Sequence, residues 1–430
     1  MIDIKLIREN TQRFKDAARA KGFDVNIKSL LTADSKLRHA KKRLQDITTE
    51  KNRIGKTIPQ LSGSDRQYAL DRLSVLKQEE AEHNATIKKI QPKFNKLMLL
   101  VPQPPDDDVP FGEDDTQNVE IRREGKVRQF DFEPKDHVQL GLALGIIDIE
   151  RGVKLAGTRN YILKGDGALL HWAVLRFAMD FMVDKGYVPF AVPVLMKDET
   201  MTGTGFFPGS EDQTYQMEKD QLNLAGTAEV PLTAYHSGEI LKAEELPKKY
   251  VALSSCFRRE AGAAGKDTYG LYRIHQFDKV EQVVVCKNSV EESNKFHDEI
   301  LANAEAIMQA LELPYRVANV CTGDLGRGQA KKFDIEAWMP SRNNYCETHS
   351  ASKLYEFQAR RMNLRYRESK SKIGNRKSKI QFCHTLNNTV IASPRILIPI
   401  LELYQNSDGS IAIPKVLRPY MGGKEKITKS

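Results

Sequence analysis

Cysteine is scarce in this 430-residue chain: five residues, Cys256, Cys286, Cys321, Cys346 and Cys383, no two of them in a CxxC pair. That argues against a zinc site and against a disulfide framework, and a reducing cytoplasm is the expected setting. No apolar run approaches the roughly 18 residues of a membrane-spanning helix, so no membrane partner is expected. The opening MIDIKLIREN carries acids and no apolar block, unlike a signal peptide. GxGxxG and GxxxxGK[ST] loops are missing, as is any HxGH-type signature, which makes a dinucleotide fold or a P-loop unexpected. There is no internal repeat.

What is present begins with charge. The chain carries a net +9, with 40% hydrophobic and 29% charged residues, enough for two or three domains with a sizeable core. Residues 35–98 hold 15 lysines and arginines against 7 acids, so nearly all the excess lies there. On charge alone, a solvated helical face and a polyanion-binding surface are both open.

The same region carries a regular apolar seam. Positions 37, 40, 44, 47, 51, 54 and 58, and then 73, 76, 80, 83, 87, 90, 94 and 97, alternate steps of three and four, the a/d spacing of a coiled coil. The break at residues 59–65, PQLSGSD, is a turn, so the two helices fold back antiparallel. Pairing across that turn sets Lys51 opposite Glu80, two polar intrusions that fix register together. Pro92 is expected to kink the second helix.

Residues 101–118 are rich in Pro and Asp and read as a linker. Beyond about residue 133, helical segments near 136–151, 167–185, 290–311 and 394–405 alternate with β-rich runs at 249–256, 276–286, 330–338 and 379–386. Consecutive hairpins with few βαβ units predict an α+β domain, an antiparallel sheet flanked by helices. The expected organisation is residues 1–100 with the arm at about 35–98, a linker over 101–132, and a second domain over 133–430.

The most informative run is residues 256–281, CFRREAGAAGKDTYGLYRIHQFDKVE: two strands joined by a Gly-rich basic loop. Side chains two apart share a face of a strand, which groups Arg258 with Glu260, and Arg273 with Phe277 and Glu281. Arginines can pair with a phosphate, an aromatic ring can stack on a planar base, and a carboxylate can hold an amine.

This run resembles the second signature motif of class II aminoacyl-tRNA synthetases in its seryl form. Other segments extend the resemblance over essentially the whole chain: the opening helix, the basic coiled coil, residues 186–193 as the first motif, and His384 through Arg395 as the third. The resemblance implies that serine is activated with ATP to seryl-adenylate and passed to the 3′ end of tRNA(Ser), with tRNA(Sec) as a second candidate. It also implies a homodimer and a tRNA-binding arm.

Roles follow from the resemblance residue by residue. Arg258 grips the α-phosphate and the serine carboxylate, with Arg259 beside it, and Glu260 takes the adenine amino group. Phe277 and Arg395 enclose adenine, and Arg273 and Arg395 reach the outer phosphates. Thr227 and Glu281 hold the serine ammonium, with Ala228 and Glu229 shaping that pocket, and Asn387 and Thr389 meet the hydroxyl. The ATP segment runs Glu347, Thr348, His349, Ser350, of which Glu347 and Ser350 hold Mg²⁺. His275, His349 and His384 read as packed residues. Two departures stand out: Lys353, a charge expected near the ATP segment, and the long basic loop at residues 368–379. Another class II synthetase is the nearest competitor, and the Thr227, Glu229, Asn387 and Thr389 set favours serine.

Overall fold

The computed structural model describes residues 1–262, 265, 267–368 and 379–429. Two compact units divide the chain: Ile2–Pro102, and Gln103–Ser430 together with Met1. Most of the basic 368–379 loop lies outside the described residues.

In the first unit, α1 (Ile4–Glu9) and α2 (Thr11–Ala20) precede two long helices, α3 (Ile27–Thr57) and α4 (Gly63–Leu100). Asp3, Asn10 and Asn26 cap the first three by accepting from backbone N–H groups, which fixes where each begins. Every seam position of the arm is buried or half-buried, and nearly all positions between are exposed. Two helices alone can bury only one stripe each, so this is the burial a two-helix coiled coil permits. Lys51 Nζ lies 2.8 Å from Glu80 Oε2, as the seam register requires. Flanking pairs Arg43–Glu79 (3.1 Å) and Arg72–Glu50 (2.8 Å) reinforce that register. α4 continues through Pro92 to Leu100, so the proline does not end the helix.

The second unit is built on one eight-stranded sheet. Its strands are β1 (Val119–Glu124), β2 (Val188–Phe190), β3 (Lys248–Phe257), β4 (Gln276–Cys286), β5 (Tyr315–Asn319), β6 (Lys331–Met339), β7 (Asn344–Tyr355) and β8 (His384–Ser393). They lie in the order β1-β5-β6-β7-β8-β4-β3-β2. All pairings are antiparallel except the last, where β2 joins the β3 edge parallel. Helices α5 (Asp166–Asp184), α6 (Val290–Ala310) and α7 (Leu397–Leu403) supply much of the apolar core against this sheet.

Three sequence-based boundaries shift. The helix read over 136–151 is two, because Gly145 at φ 71° closes the first turn-rich helix at Leu144 and a second starts at Ile149. The strand read over 379–386 is a short strand, Ile380–Phe382, followed by β8. The segment read as a linker is docked on the second unit: Gln103 and Asp106 donate backbone hydrogen bonds to the Arg327 and Ala330 carbonyls (2.8 and 2.9 Å), and Val119–Glu124 forms the edge strand β1.

Lys353 explains part of that docking. Strand alternation sends Ser350 and Ser352 to one face of β7 and Lys353 to the other, where it is 3% exposed. Its ammonium meets Asp106 at 2.6 Å, and the Asp106 carboxylate also accepts from the Tyr355 hydroxyl (3.0 Å). Lys353 therefore adds no charge to the face that carries Ser350 and Ser352; it pins the 103–112 segment to the sheet.

Candidate active site

The centre of the sheet carries a polar cavity of about 240 Å³, and the strand registers explain which side chains reach it. On β4, Phe277, Lys279 and Glu281 alternate onto the cavity face. β3 pairs with it so that Cys256 faces Phe277, and Arg258, the residue after β3, reaches the same cavity. β8 supplies Asn387 and Thr389, with Thr389 directly opposite Glu281.

A bulge decides the position of Glu347. Between β6 and β7 the register slips, with Ile335 opposite His349 and Glu336 opposite Glu347. Strict alternation from Ser352 and Ser350 would send Glu347 to the far face; the extra residue, Thr348, brings it onto the cavity wall instead.

Of the residues predicted from sequence, Thr227, Glu229, Arg258, Glu260, Phe277, Glu281, Glu347, Thr348, Ser350, Asn387, Thr389 and Arg395 line one cavity. Ala228, Arg259, Arg273 and His349 are not among its lining residues. His349 is buried behind the wall, its ring bonded to the Val390 carbonyl (3.0 Å) and the Thr348 hydroxyl (2.8 Å), and burial pushes its pKa down to about 4. Arg273 lies in the loop before β4 rather than in the strand, held by Glu260 (3.4 Å) and Asp267 (3.7 Å). His275 bonds the Arg258 carbonyl (3.0 Å), and His384 shares a hydrogen bond with the Ser293 hydroxyl (2.7 Å). Both act as packed residues.

Two aromatic faces hold the arginines. The Arg258 guanidinium stands 5.2 Å from the Phe277 ring centre, and Arg395 stands 4.4 Å from that of Tyr272. Arg395 also donates to the Tyr272 and Glu347 carbonyls, each at 3.1 Å. In this structure Arg395 thus rests on Tyr272, a residue the sequence reading passed over.

At the opposite end lies a dense cluster of charge. Glu281 is 1% exposed and ion-paired with Lys279, itself 6% exposed. Thr389 Oγ1 lies 3.4 Å from the Lys279 ammonium and 3.5 Å from a Glu281 oxygen. Lys279 was missed, although the alternation that groups Phe277 with Glu281 passes through it. Glu229 completes the cluster, its carboxylate accepting from the buried Gln358 amide at 2.8 Å. Burial, then the neighbouring Glu281 charge, pushes Glu229 up to about 7. The Thr227 hydroxyl accepts from the Glu229 backbone N–H (3.1 Å), so the start of the short helix Glu229–Ala234 presents both side chains to the cavity.

Burial also raises Glu347, but Arg395, Lys332, Arg258 and Lys279 more than reverse it and hold its pKa below the usual carboxylate range. Asp334, opposite Ser350 on β6, is pushed up to about 7 by burial despite its Lys332 partner at 3.2 Å, and one of its oxygens has no hydrogen-bond partner. A carboxylate kept ionised beside a serine hydroxyl is a hard oxygen donor pair, which fits a small divalent cation completed by phosphate oxygens and water.

The comparisons with known proteins agree with this geometry. A family model described as "Seryl-tRNA synthetase N-terminal domain" matches residues 1–105, and one described as "tRNA synthetase class II core domain (G, H, P, S and T)" matches residues 213–404. The serine–tRNA ligase of Deinococcus radiodurans is 44% identical over 99% of this chain and 98% of its own; that of Thermotoga maritima is 44% identical over 98% and 99%. Among solved structures, the seryl-tRNA synthetase of Pyrococcus horikoshii complexed with ATP superposes with a TM-score of 0.92 at 36% identity, covering all of both chains. With a site of this make-up and relatives this similar from end to end, the chain belongs to the seryl-tRNA synthetase family.

Proposed function

We propose that this chain joins L-serine to the 3′ end of tRNA(Ser) in two steps, using ATP. The observation that carries the reading is the placement, in one cavity, of a cationic end around Arg258 and Arg395 and a carboxylate-rich end around Glu229 and Glu281. Serine fits such a site: its ammonium faces the acids, its hydroxyl meets Asn387 and Thr389, and its carboxylate lies toward Arg258. The carboxylate oxygen attacks the α-phosphorus and pyrophosphate leaves; the terminal ribose hydroxyl of tRNA then displaces AMP from the acyl carbon. Arg258 neutralises two anions that must approach, and positioning with charge neutralisation supplies most of the rate, so no side-chain nucleophile is required.

Phe277 offers a face to adenine and Glu260 an acceptor to its amino group; Arg273 and Arg395 lie on the phosphate side. Glu347 and Ser350 would hold Mg²⁺, which neutralises phosphate charge when bound. The basic arm of α3 and α4 binds the tRNA, mainly through phosphates. The chain acts in the cytoplasm as a homodimer. Support for the dimer comes from apolar side chains left open on the second unit, among them Leu155 at 77% and Trp172 at 61%.

Serine-dependent ATP–pyrophosphate exchange is the direct test, with threonine, alanine, cysteine and glycine as competitors. Exchange with serine alone is expected. A hydroxyl-seeking site leaves Asn387 and Thr389 unpaired with alanine, a loss of roughly 10⁴-fold. Equal exchange with alanine would overturn the pocket assignment, and no exchange with any of them would overturn the reaction.

A further inference from the structure

Besides the cavity and the arm, the first unit carries a groove of about 520 Å³ where α2 meets the start of α3, lined by Thr11, Lys15, Lys28, Leu31, Thr32, Ser35 and Lys36. The lining is not a random sample of surface. Thr11 and Lys15 are four apart on α2, and Lys28, Thr32, Ser35 and Lys36 follow steps of four, three and one on α3, so each helix contributes one face. Leu31 is half-buried between them and the lysines are exposed.

The groove gathers three lysines with no acid among its lining residues. Arg8 and Arg38, on either side, share Asp34 at 3.6 and 3.0 Å, and Arg19 pairs with Asp16 at 2.6 Å. Among the described residues, Lys15, Lys28 and Lys36 take part in no ion pair, and no acid lines the groove. Three like charges converging on one depression repel one another, and an anion relieves that repulsion. The Ser35 hydroxyl stands among them as a further donor to a phosphate oxygen. Thr11 and Thr32 already donate to helix carbonyls (both 2.9 Å), which leaves their oxygens as acceptors for a sugar hydroxyl.

Position selects the occupant. The groove covers about 12 Å of the helix, Lys28 to Lys36, and Lys42 on the same side continues this basic face into the arm, about 21 Å in all. A span of that length suits a run of polynucleotide backbone rather than one small anion. We propose that this groove is a second RNA-backbone site, taking two to three phosphates of the bound tRNA at the base of the arm. The inference rests on the reading that tRNA is the arm's ligand.

The test uses the full chain and an unmodified tRNA(Ser) transcript, with binding measured from about 50 to 200 mM salt. One variant carries Lys15→Gln, Lys28→Gln and Lys36→Gln; another neutralises the arm positions Arg38, Lys41, Lys42 and Arg43. Each lysine–phosphate contact contributes about 0.7–0.9 to the slope of log K against log salt, so losing three lowers the slope by about 2.1–2.7. The groove variant's binding deficit relative to the parent chain should then shrink about 20- to 40-fold across that fourfold salt range, with an unchanged melting temperature. An unchanged slope in the groove variant, with a reduced one in the arm variant, overturns the groove alone. Unchanged slopes in both overturn the arm reading and the groove with it. Saturable binding of inorganic phosphate by the parent chain that is lost in the groove variant, with the tRNA salt slope unchanged in that variant, reassigns the groove to a small anion and also overturns the proposal.

Discussion

Glu229 and Glu281 set two carboxylates against the one ammonium of Lys279 in the wall of the cavity. Because burial and Glu281 push Glu229 up to about 7, the folded chain holds its proton more tightly than the unfolded chain does. Stability from this group is therefore complete below the ordinary carboxylate range and is lost as pH rises through about 7. A bound ammonium reverses that preference by favouring the ionised form. The KM for serine should thus rise as pH falls below about 7, by up to tenfold per unit, while kcat stays flat. Glu229→Gln should raise KM at pH 8 and remove the slope; a slope retained in that variant would assign it to another group. What sequence made legible here was chemistry carried by residue type: an arginine, an aromatic ring and acids in a hairpin. It did not show that Arg273 leaves the strand or that Tyr272 takes up Arg395, because both depend on the loop that joins β3 and β4. That Glu347 reaches the cavity wall through a β-bulge was not legible, because no local pattern marks one.

Elements were legible where a period ran long enough to be counted. The arm seam fixed both helices and even the Lys51–Glu80 contact, since heptad register leaves one solution. That pair is about one-third exposed, so its contribution is on the order of 0.3–1 kcal/mol. Glu80→Lys should lower the arm's stability by about 1 kcal/mol through like charges at one seam position, and adding Lys51→Glu should restore most of it. Thermal melts of the two variants and the parent decide this; a double variant no more stable than Glu80→Lys would mean the pair does not set register. The segment at 101–118 reads as a linker, yet from Gln103 it docks on the second unit, because proline and aspartate mark both linkers and docked extended chain. Its anchor is long-range, Lys353 on β7, which local composition cannot reveal. Lys353→Met leaves Asp106 without its cation in a largely enclosed site, with an expected loss of about 3 kcal/mol. Lys353→Met with Asp106→Asn should recover much of that. If the single change is silent, the segment is held by its backbone bonds alone.

At the scale of the whole molecule, the second unit leaves an apolar surface that its own fold does not cover. Leu169 and Trp172 share one face of α5, three residues apart, and both are exposed; Val188 on the edge strand β2 is exposed as well. Large side chains on one helical face, together with an edge strand that offers unpaired backbone groups, suit a self-complementary contact, which a two-fold axis makes by using the same patch twice. Composition could not expose this, because an amphipathic helix with a second apolar stripe looks the same whether that stripe meets its own core or a second copy. A stable interface of this kind buries about 1,600 Å², with a few large side chains carrying most of the energy. Trp172→Glu places a charge at the centre of such a patch twice over, once from each copy. In light scattering at micromolar concentration the parent chain should weigh about twice its 48.7 kDa and the variant should weigh that mass once. Dilution separates the outcomes further, since a weakened dimer dissociates with concentration whereas a misfolded one aggregates. A variant that stays dimeric at every concentration would move the interface away from α5, and a monomeric parent chain would leave Trp172 to serve some other partner.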